Sequence, residues 1–266
     1  MKFIGIIPAR YASTRFPAKP LALLGGMTVI ERVYKQVEGQ MDYVVVATDD
    51  ERIENAVKAF GGHVVMTSST HRSGTDRCQE ALGHVEDQLR KEQGADFSPF
   101  DIVVNIQGDE PFIQHQQLKA IRNCFDDETT DIATLVKPFT PQDGFAALEN
   151  PNSPKVVVNE CMEAMYFSRS IIPYLRGVER GEQWLEVHTF YKHIGLYAYR
   201  AKVLREITQL PQSSLELAES LEQLRWLQNG YKIKVGISEV ETIGIDTPED
   251  LQRAEEFLKT HMLSRY

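Results

Sequence analysis

Three cations, Arg10, Arg15 and Lys19, fall close together near the start of the chain. They lie in Ala9-Arg10-Tyr11-Ala12-Ser13-Thr14-Arg15-Phe16-Pro17-Ala18-Lys19-Pro20-Leu21, a small, hydroxylated and proline-punctuated stretch. Before it runs Phe3-Ile4-Gly5-Ile6-Ile7, apolar and β-branched as a buried strand requires. A loop that leaves a core strand with three positive charges is suited to an anion, here the triphosphate of a nucleotide; a solvated basic loop is the bland alternative. The loop matches neither G-x-x-x-x-G-K-[ST] nor G-x-G-x-x-G, so the ordinary P-loop and dinucleotide readings fail. Two aspartates offer complementary chemistry. Asp109 lies in Gln107-Gly108-Asp109-Glu110-Pro111, either as a turn residue bonding backbone amides or as a hard oxygen ligand for Mg²⁺, which favours one or two carboxylates plus substrate phosphates. Asp246, between Ile243-Gly244-Ile245 and Thr247-Pro248, reads in isolation as a turn or cap residue, and its metal reading depends on Asp109.

The elements that must position these residues are legible in order. Thr28 caps a helix over about 29–38, Tyr43 to Ala47 is a buried strand, and a helix runs over about 51–60 to the stop at Gly61-Gly62. His63 to Met66 is a further strand, the polar stretch from Thr67 to Thr75 opens a long helix to about Gln93, and Asp101 to Ile106 is a fourth apolar strand. Strands separated by helices of this length imply crossovers and a mostly parallel sheet, with helices on both faces because the strands are apolar throughout. Ligands in such sheets bind beyond the carboxyl ends of the strands, where the loop, Asp109 and Asp246 would meet. From about Asp131 the rhythm changes. Segments 132–136, 155–158, 164–167 and 189–199 read as strands with irregular connections, Asn150 to Pro154 as a breaker cluster, and Arg176 to Trp184 as a polar loop. Ser214 to Gln228 is expected to form one helix with Leu217, Leu221 and Leu224 on one face, followed by a strand over 231–235. Thr247 caps the last helix, with Pro248 at its first position. Its stripe is Leu251, Ala254, Phe257 and Leu258. The fold class is α/β, with an elaborated second-half lobe.

Bulk properties narrow the function. The chain has 266 residues, 42% hydrophobic and 25% charged, and a net charge of -9. Such a balance argues against sequence-blind binding to nucleic acid or to an anionic membrane, so positive charge that matters must be local. Cys78, Cys124 and Cys161 are odd in number and without C-x-x-C spacing, which disfavours a disulfide framework or zinc site and makes a reducing cytoplasm the expected location. No signal peptide or membrane span is expected.

Further residues carry paired readings. Arg169 is either a surface arginine or the cation for an acidic ligand. His193 and Tyr197 share a face with Gly195 on a predicted strand, leaving room for a ligand or simply housing a satisfied core histidine. Glu222 and Gln223 read on their own as solvent-exposed helix residues.

The run from Ile6 to Leu21 closely resembles the opening signature of the 3-deoxy-manno-octulosonate (Kdo) cytidylyltransferase family. The resemblance continues through Val46-Ala47-Thr48-Asp49, Met66-Thr67, Ser73-Gly74-Thr75-Asp76-Arg77, 104–111, Tyr166-Phe167-Ser168-Arg169, 193–197, 221–225 and 244–251. It covers nearly the whole chain and implies a Rossmann-like nucleotidyltransferase fold, arranged as one cytidylyltransferase domain over 1–266: a nucleotide-binding half over 1–130, a sugar-binding and dimerisation lobe over 131–242, and a metal-ligand turn with the C-terminal helix over 243–266. The implied reaction joins Kdo to the α-phosphate of CTP with release of pyrophosphate, activating Kdo for lipopolysaccharide synthesis. By the same resemblance Lys19, Arg15, Asp109 and Asp246 are catalytic; Ala9, Arg10, Ser13, Arg15, Lys19, Ser73, Gly74 and Gln107 bind nucleotide; Arg169, His193, Tyr197, Glu222 and Gln223 bind the sugar; and Asp109 and Asp246 hold Mg²⁺, as two ions. A homodimer through the second half is implied. The alternatives are the same chemistry on 8-amino-Kdo or a sialic-acid-like sugar, and a non-catalytic nucleotide-binding regulator. Two departures stand out: Ala18 occupies a position where the family commonly has glycine, and the stretch Trp184-Leu185-Glu186-Val187 diverges.

Overall fold

The computed structural model describes residues 1–12, 16–240 and 244–263. It divides into two compact units, Met1–Leu118 with Thr242–Tyr266, and Lys119–Glu241. The C-terminal segment therefore rejoins the N-terminal half, and Asp246 belongs to the same unit as Asp109.

The first unit begins with β1 (Phe3–Ala9), then a small hairpin of β2 (Leu23–Leu24) and β3 (Met27–Thr28), α1 (Val29–Val37), β4 (Tyr43–Thr48), α2 (Glu51–Ala59), β5 (Val64–Met66), α3 (Gly74–Gln93) and β6 (Ile102–Asn105). Helix α4 (His115–Asn123) crosses the boundary between the units. The strands pair in the order β6-β1-β4-β5, all parallel, with Ile6 opposite Val45 on one side and Asn105 on the other. Ile4, Ile6, Ile7, Val45, Val46 and Val103 are fully buried, as strands covered on both faces must be. The chain steps outward from β1 to β4 to β5 and then reverses to β6. Right-handed crossovers accordingly put α3 on the opposite face from α1 and α2, and the reversal beside β1 is the switch point where such sheets bind ligands. The expected helix starts are present: Thr28 accepts the Glu31 amide (3.2 Å) and Ser73 the Asp76 amide (3.1 Å).

The second unit holds β7 (Ile132–Pro138), α5 (Phe145–Glu149), β8 (Lys155–Val158), β9 (Ala164–Ser168), α6 (Trp184–Val187), β10 (Tyr191–Arg200), α7 (Ala201–Ile207), α8 (Ser214–Glu219), α9 (Gln223–Gln228) and β11 (Ile233–Ile237). Strand β7 lies parallel to β11 and antiparallel to β10, while β8 pairs antiparallel with β10 and β9. The divergent stretch at Trp184 is a short helix whose Trp184 and Leu185 pack with Phe139, Leu148 and Phe190 in a local core. One expectation fails here. Residues 214–228 form two helices broken at Ser220, which takes a left-handed conformation (φ 51), and Leu217 is 62% exposed, outside any buried stripe. The break is held by a buried pair: Arg225 donates from Nε (3.0 Å) and Nη2 (2.9 Å) to Glu216, tying the second helix back onto the first. The last helix, α10 (Pro248–Leu263), returns to the first unit. No described helix is long and apolar enough to cross a membrane.

Candidate active site

At the carboxyl ends of β1 and β6 lies a cavity of ≈ 290 Å³, near the lower edge of the range for small-molecule sites. Its walls include Ala9, Arg10, Lys19, Ser73, Gly74, Gln107, Asp109 and Asp246, eight residues singled out from the sequence. Ser13 and Arg15 lie outside the described residues. His71, Arg72 and Arg77 also line the cavity and had no role assigned from the sequence. Four formal cations, Arg10, Lys19, Arg72 and Arg77, thus face two carboxylates in a chain of net charge -9. The local charge has the sign a polyanion needs.

Each wall has a local cause. Gly108 lets the turn after β6 pass close to β1, since a Cβ there would stand 2.7 Å from the Pro8 carbonyl oxygen. Gly74 does the same for the start of α3, where a Cβ would meet the Pro8 ring at 3.3 Å. The N-terminus of this 20-residue helix, the positive end of its dipole, therefore opens into the cavity. Arg77, only 4% exposed, is pinned to Asp49 (2.9 Å) and to the Thr67 hydroxyl (2.6 Å), locking the first turn of α3 against the ends of β4 and β5. A buried arginine in a helix's first turn is invisible to composition, and only its place beside Ser73-Gly74 in the motif hints at it.

The carboxylate pair is built by backbone and capping. The Ile245 amide donates to the Asp109 carbonyl (2.9 Å), which sets Asp246 next to Asp109 although they are far apart in sequence. Ile245 is anchored in a small core with Leu24, Val29 and Ala254, with Phe16 of the loop packed against it. At the start of α10 the capping work falls to others. Asp250 accepts the amides of Asp246 and Thr247 (both 2.9 Å), and Thr247 accepts that of Asp250 (3.2 Å). The Asp246 carboxylate instead faces Lys19 (3.2 Å), which also donates to Asp109 (2.6 Å). The turn after β6 closes through the Glu110 amide and the Gln107 carbonyl (3.2 Å). Two hard oxygen donors converging on one cationic atom fit Mg²⁺, which takes few protein carboxylates and completes its shell with phosphate and water. Among the described residues no cluster of three or more metal-ligating side chains forms.

The loop carries Lys19 into this position through a backbone conformation that is less favourable for alanine than for glycine. Ala18 sits at φ 59, ψ 15, in the left-handed region, and its carbonyl accepts the Leu21 amide (2.8 Å) to close the 3-10 turn at Lys19–Leu21.

In the second unit, the predicted sugar residues divide. Arg169 spends three N–H groups on backbone carbonyls, those of Glu219 (2.7 Å), Pro151 (2.9 Å) and Ser220 (3.3 Å), leaving two of its five. Its own carbonyl accepts the buried Lys155 ammonium (2.6 Å), whose pKa burial pulls down to about 8. His193 Nε2 lies 3.0 Å from the Thr134 hydroxyl, which also has the carbonyls of Leu196 (2.9 Å) and Ile194 (3.2 Å) within hydrogen-bonding reach. Burial of the ring pushes its pKa down to about 3. A register irregularity between Ile194 and Tyr197 adds two residues to β10, so His193 and Tyr197 stay on one face, with ring centroids 5.3 Å apart. Tyr197 stacks edge-on against Trp226 (5.2 Å), and burial raises its pKa well above 10. Its phenol lies near enough to Thr134 to feel that group, yet makes no hydrogen bond of good geometry. Gln223, 4% exposed, leaves its side-chain nitrogen unpaired as well, while Glu222 accepts from Arg225 (3.2 Å). Each such buried polar group costs about 1–3 kcal/mol unless something bonds it.

A parallel α/β sheet with a cationic pocket and paired carboxylates at its switch point defines a nucleotide-binding enzyme class. The comparisons narrow this. A family model described as cytidylyltransferase matches residues 4–233. The chain is 72% identical to the 3-deoxy-manno-octulosonate cytidylyltransferase of Phocaeicola vulgatus, covering 97% of this chain and 98% of that protein. It is 71% identical to that of Bacteroides thetaiotaomicron, with 97% and 99% covered. A solved structure of CMP:2-keto-3-deoxy-manno-octonic acid synthetase complexed with CTP superposes with a TM-score of 0.86 at 39% identity, covering 98% of this chain and all of that one. The protein belongs to the cytidylyltransferase family, among the 3-deoxy-manno-octulosonate cytidylyltransferases.

Proposed function

We propose that the protein transfers CMP from CTP to the anomeric hydroxyl of Kdo, giving CMP-Kdo and pyrophosphate. The observation that carries this reading is the single pocket in which Arg10, Lys19 and the N-terminus of α3 face Asp109 and Asp246. The nucleophile is a hydroxyl of the sugar, so no residue need form a covalent intermediate, and the protein's work is to position reactants and stabilise charge. Arg10 and Lys19 hold the triphosphate and offset the charge that gathers on departing pyrophosphate. Arg15 and Ser13 join them by their place in the family motif. Ser73, Gly74, Gln107 and Ala9 hold the nucleoside. Asp109 and Asp246 hold Mg²⁺, which when bound polarises phosphate oxygens and neutralises their charge. In the second unit, His193, Tyr197, Glu222 and Gln223 meet the sugar's hydroxyls, a role that would satisfy the unpaired Tyr197 phenol and Gln223 nitrogen. The remaining N–H groups of Arg169 suit the sugar's carboxylate. A homodimer through the second half follows from the family resemblance.

Pyrophosphate release measured across a panel of acid sugars with each of the four nucleoside triphosphates tests the reading. Release is expected with CTP and Kdo, and is expected to stop when the sugar is omitted or the metal is chelated. Absence of turnover with every 2-keto-3-deoxy acid sugar refutes it.

A further inference from the structure

Tyr11, Asp50 and Arg52 have no part in the reaction as described, yet they converge on the nucleotide loop. The Arg52 guanidinium carbon lies 3.3 Å from the centroid of the Tyr11 ring. An edge-on approach at that distance would collide with the ring's own hydrogens, so the guanidinium lies over the face, where the ring quadrupole attracts it. The same guanidinium is gripped along its edge. Asp50 Oδ1 accepts its Nε (2.9 Å) and Asp50 Oδ2 its Nη2 (2.7 Å), the fork-on-fork geometry that fixes an arginine in one orientation.

Asp50 is itself tied down. It caps α2 by accepting the Arg52 amide (2.9 Å), and its own amide donates to the Thr48 hydroxyl (3.3 Å) at the end of β4. Thr48 is the register partner of Ala9, the last residue of β1. Tyr11 and Arg52 thus leave the sheet from the same rung of neighbouring strands and meet just beyond it.

What Tyr11 holds explains why this contact bears on function. Its carbonyl accepts the Ala18 amide (3.0 Å), joining the two ends of the loop, and Arg10 precedes it in the pocket wall. Ala18 then turns the chain so that Lys19 reaches Asp109. An exposed ion pair such as Arg52 with Asp50 adds little by itself. Its use here is to pre-organise the guanidinium, so that stacking on Tyr11 costs little further side-chain freedom.

We propose that Arg52 is a positioning residue for nucleotide binding: clamped by Asp50, it lies on Tyr11 and holds the base of the loop from which Arg10 and Lys19 reach the triphosphate. The inference rests on the CTP reading above. It is tested by CTP affinity without sugar, measured by titration calorimetry, alongside steady-state kinetics for Arg52→Ala, Tyr11→Ala, Tyr11→Phe and the Arg52→Ala/Tyr11→Ala double variant. Both single alanine variants are expected to weaken CTP binding by about threefold to fivefold, the scale of one cation–π contact. KM for CTP should rise correspondingly, with kcat within about twofold and the melting temperature unchanged. The double variant should be no worse than either single, because both remove the same contact, and Tyr11→Phe, which keeps the ring, should bind like the unaltered protein. Normal CTP affinity in Arg52→Ala, losses that multiply in the double variant, or a Tyr11→Phe as weak as Tyr11→Ala would each overturn the proposal alone. An unaltered protein that fails to bind CTP at all would overturn the nucleotide reading and this proposal with it.

Discussion

Ala18 gives the sharpest quantitative prediction. It holds a left-handed backbone (φ 59, ψ 15) directly before Lys19. For a residue with a Cβ this conformation costs about 1–2 kcal/mol relative to the right-handed region, whereas glycine enters it freely. Ala18→Gly relieves that strain but gives the unfolded chain more freedom, worth about 0.4–1 kcal/mol in the opposite sense. The balance favours the variant by about 0.8 kcal/mol. For a chain of this size that is a rise in melting temperature of about 2 °C, from the usual 2–4 °C per kcal/mol. Ala18→Val is the counter-test, because a β-branched residue in this region is a true outlier and should melt below the unaltered protein. Differential scanning calorimetry of the three proteins reads both effects. If glycine lowers the melting temperature while valine is tolerated, the left-handed turn is not what delivers Lys19, and the account of the loop fails.

Asp109→Asn and Asp246→Asn are each expected to reduce pyrophosphate release at least about 100-fold, the scale of losing one electrostatic contributor; near-normal rates in folded variants would remove the metal-ligand assignment. His193 should show no NMR titration between pH 5 and 8, because burial holds its folded pKa near 3 against an ordinary 6.5. The sign follows from the depressed folded value. The unfolded chain takes up the proton first, so this histidine's contribution to stability is complete above about pH 6.5 and is lost as pH falls toward 3. His193→Asn should therefore lose less melting temperature between pH 7 and 5 than the unaltered protein, and an imidazole titrating near 6.5 would contradict the buried, neutral assignment.

Much of the first unit is legible in sequence because its signals are local. Apolar runs mark β1, β4 and β6, and capping threonines mark α1 and α10. The second unit is harder to read for physical reasons visible in particular residues. Helix α7 follows β10 directly, and Arg200 at its N-cap makes no side-chain cap, so no start signal exists. The 214–228 stretch has an unbroken helical pattern, and only the left-handed Ser220 and the buried Glu216–Arg225 pair reveal two helices. Arg169 reads as an available cation, but three nearby carbonyls take much of its donor capacity.

The chemical inventory can be read directly from the chain: cations in a loop after a core strand, a strand-end aspartate, a second aspartate before a capped helix, and the order of motifs that marks the family. Residue types and short-range spacing suffice for these, because strands, caps and turns are set by neighbours in the chain. Which of them meet depends on packing in three dimensions. Asp246 joins Asp109 through one backbone hydrogen bond from Ile245, Arg77 is locked by Asp49 and Thr67, and Arg52 lies on Tyr11. Those contacts link segments far apart along the chain, and their geometry comes from strand register and packing, which no local pattern encodes.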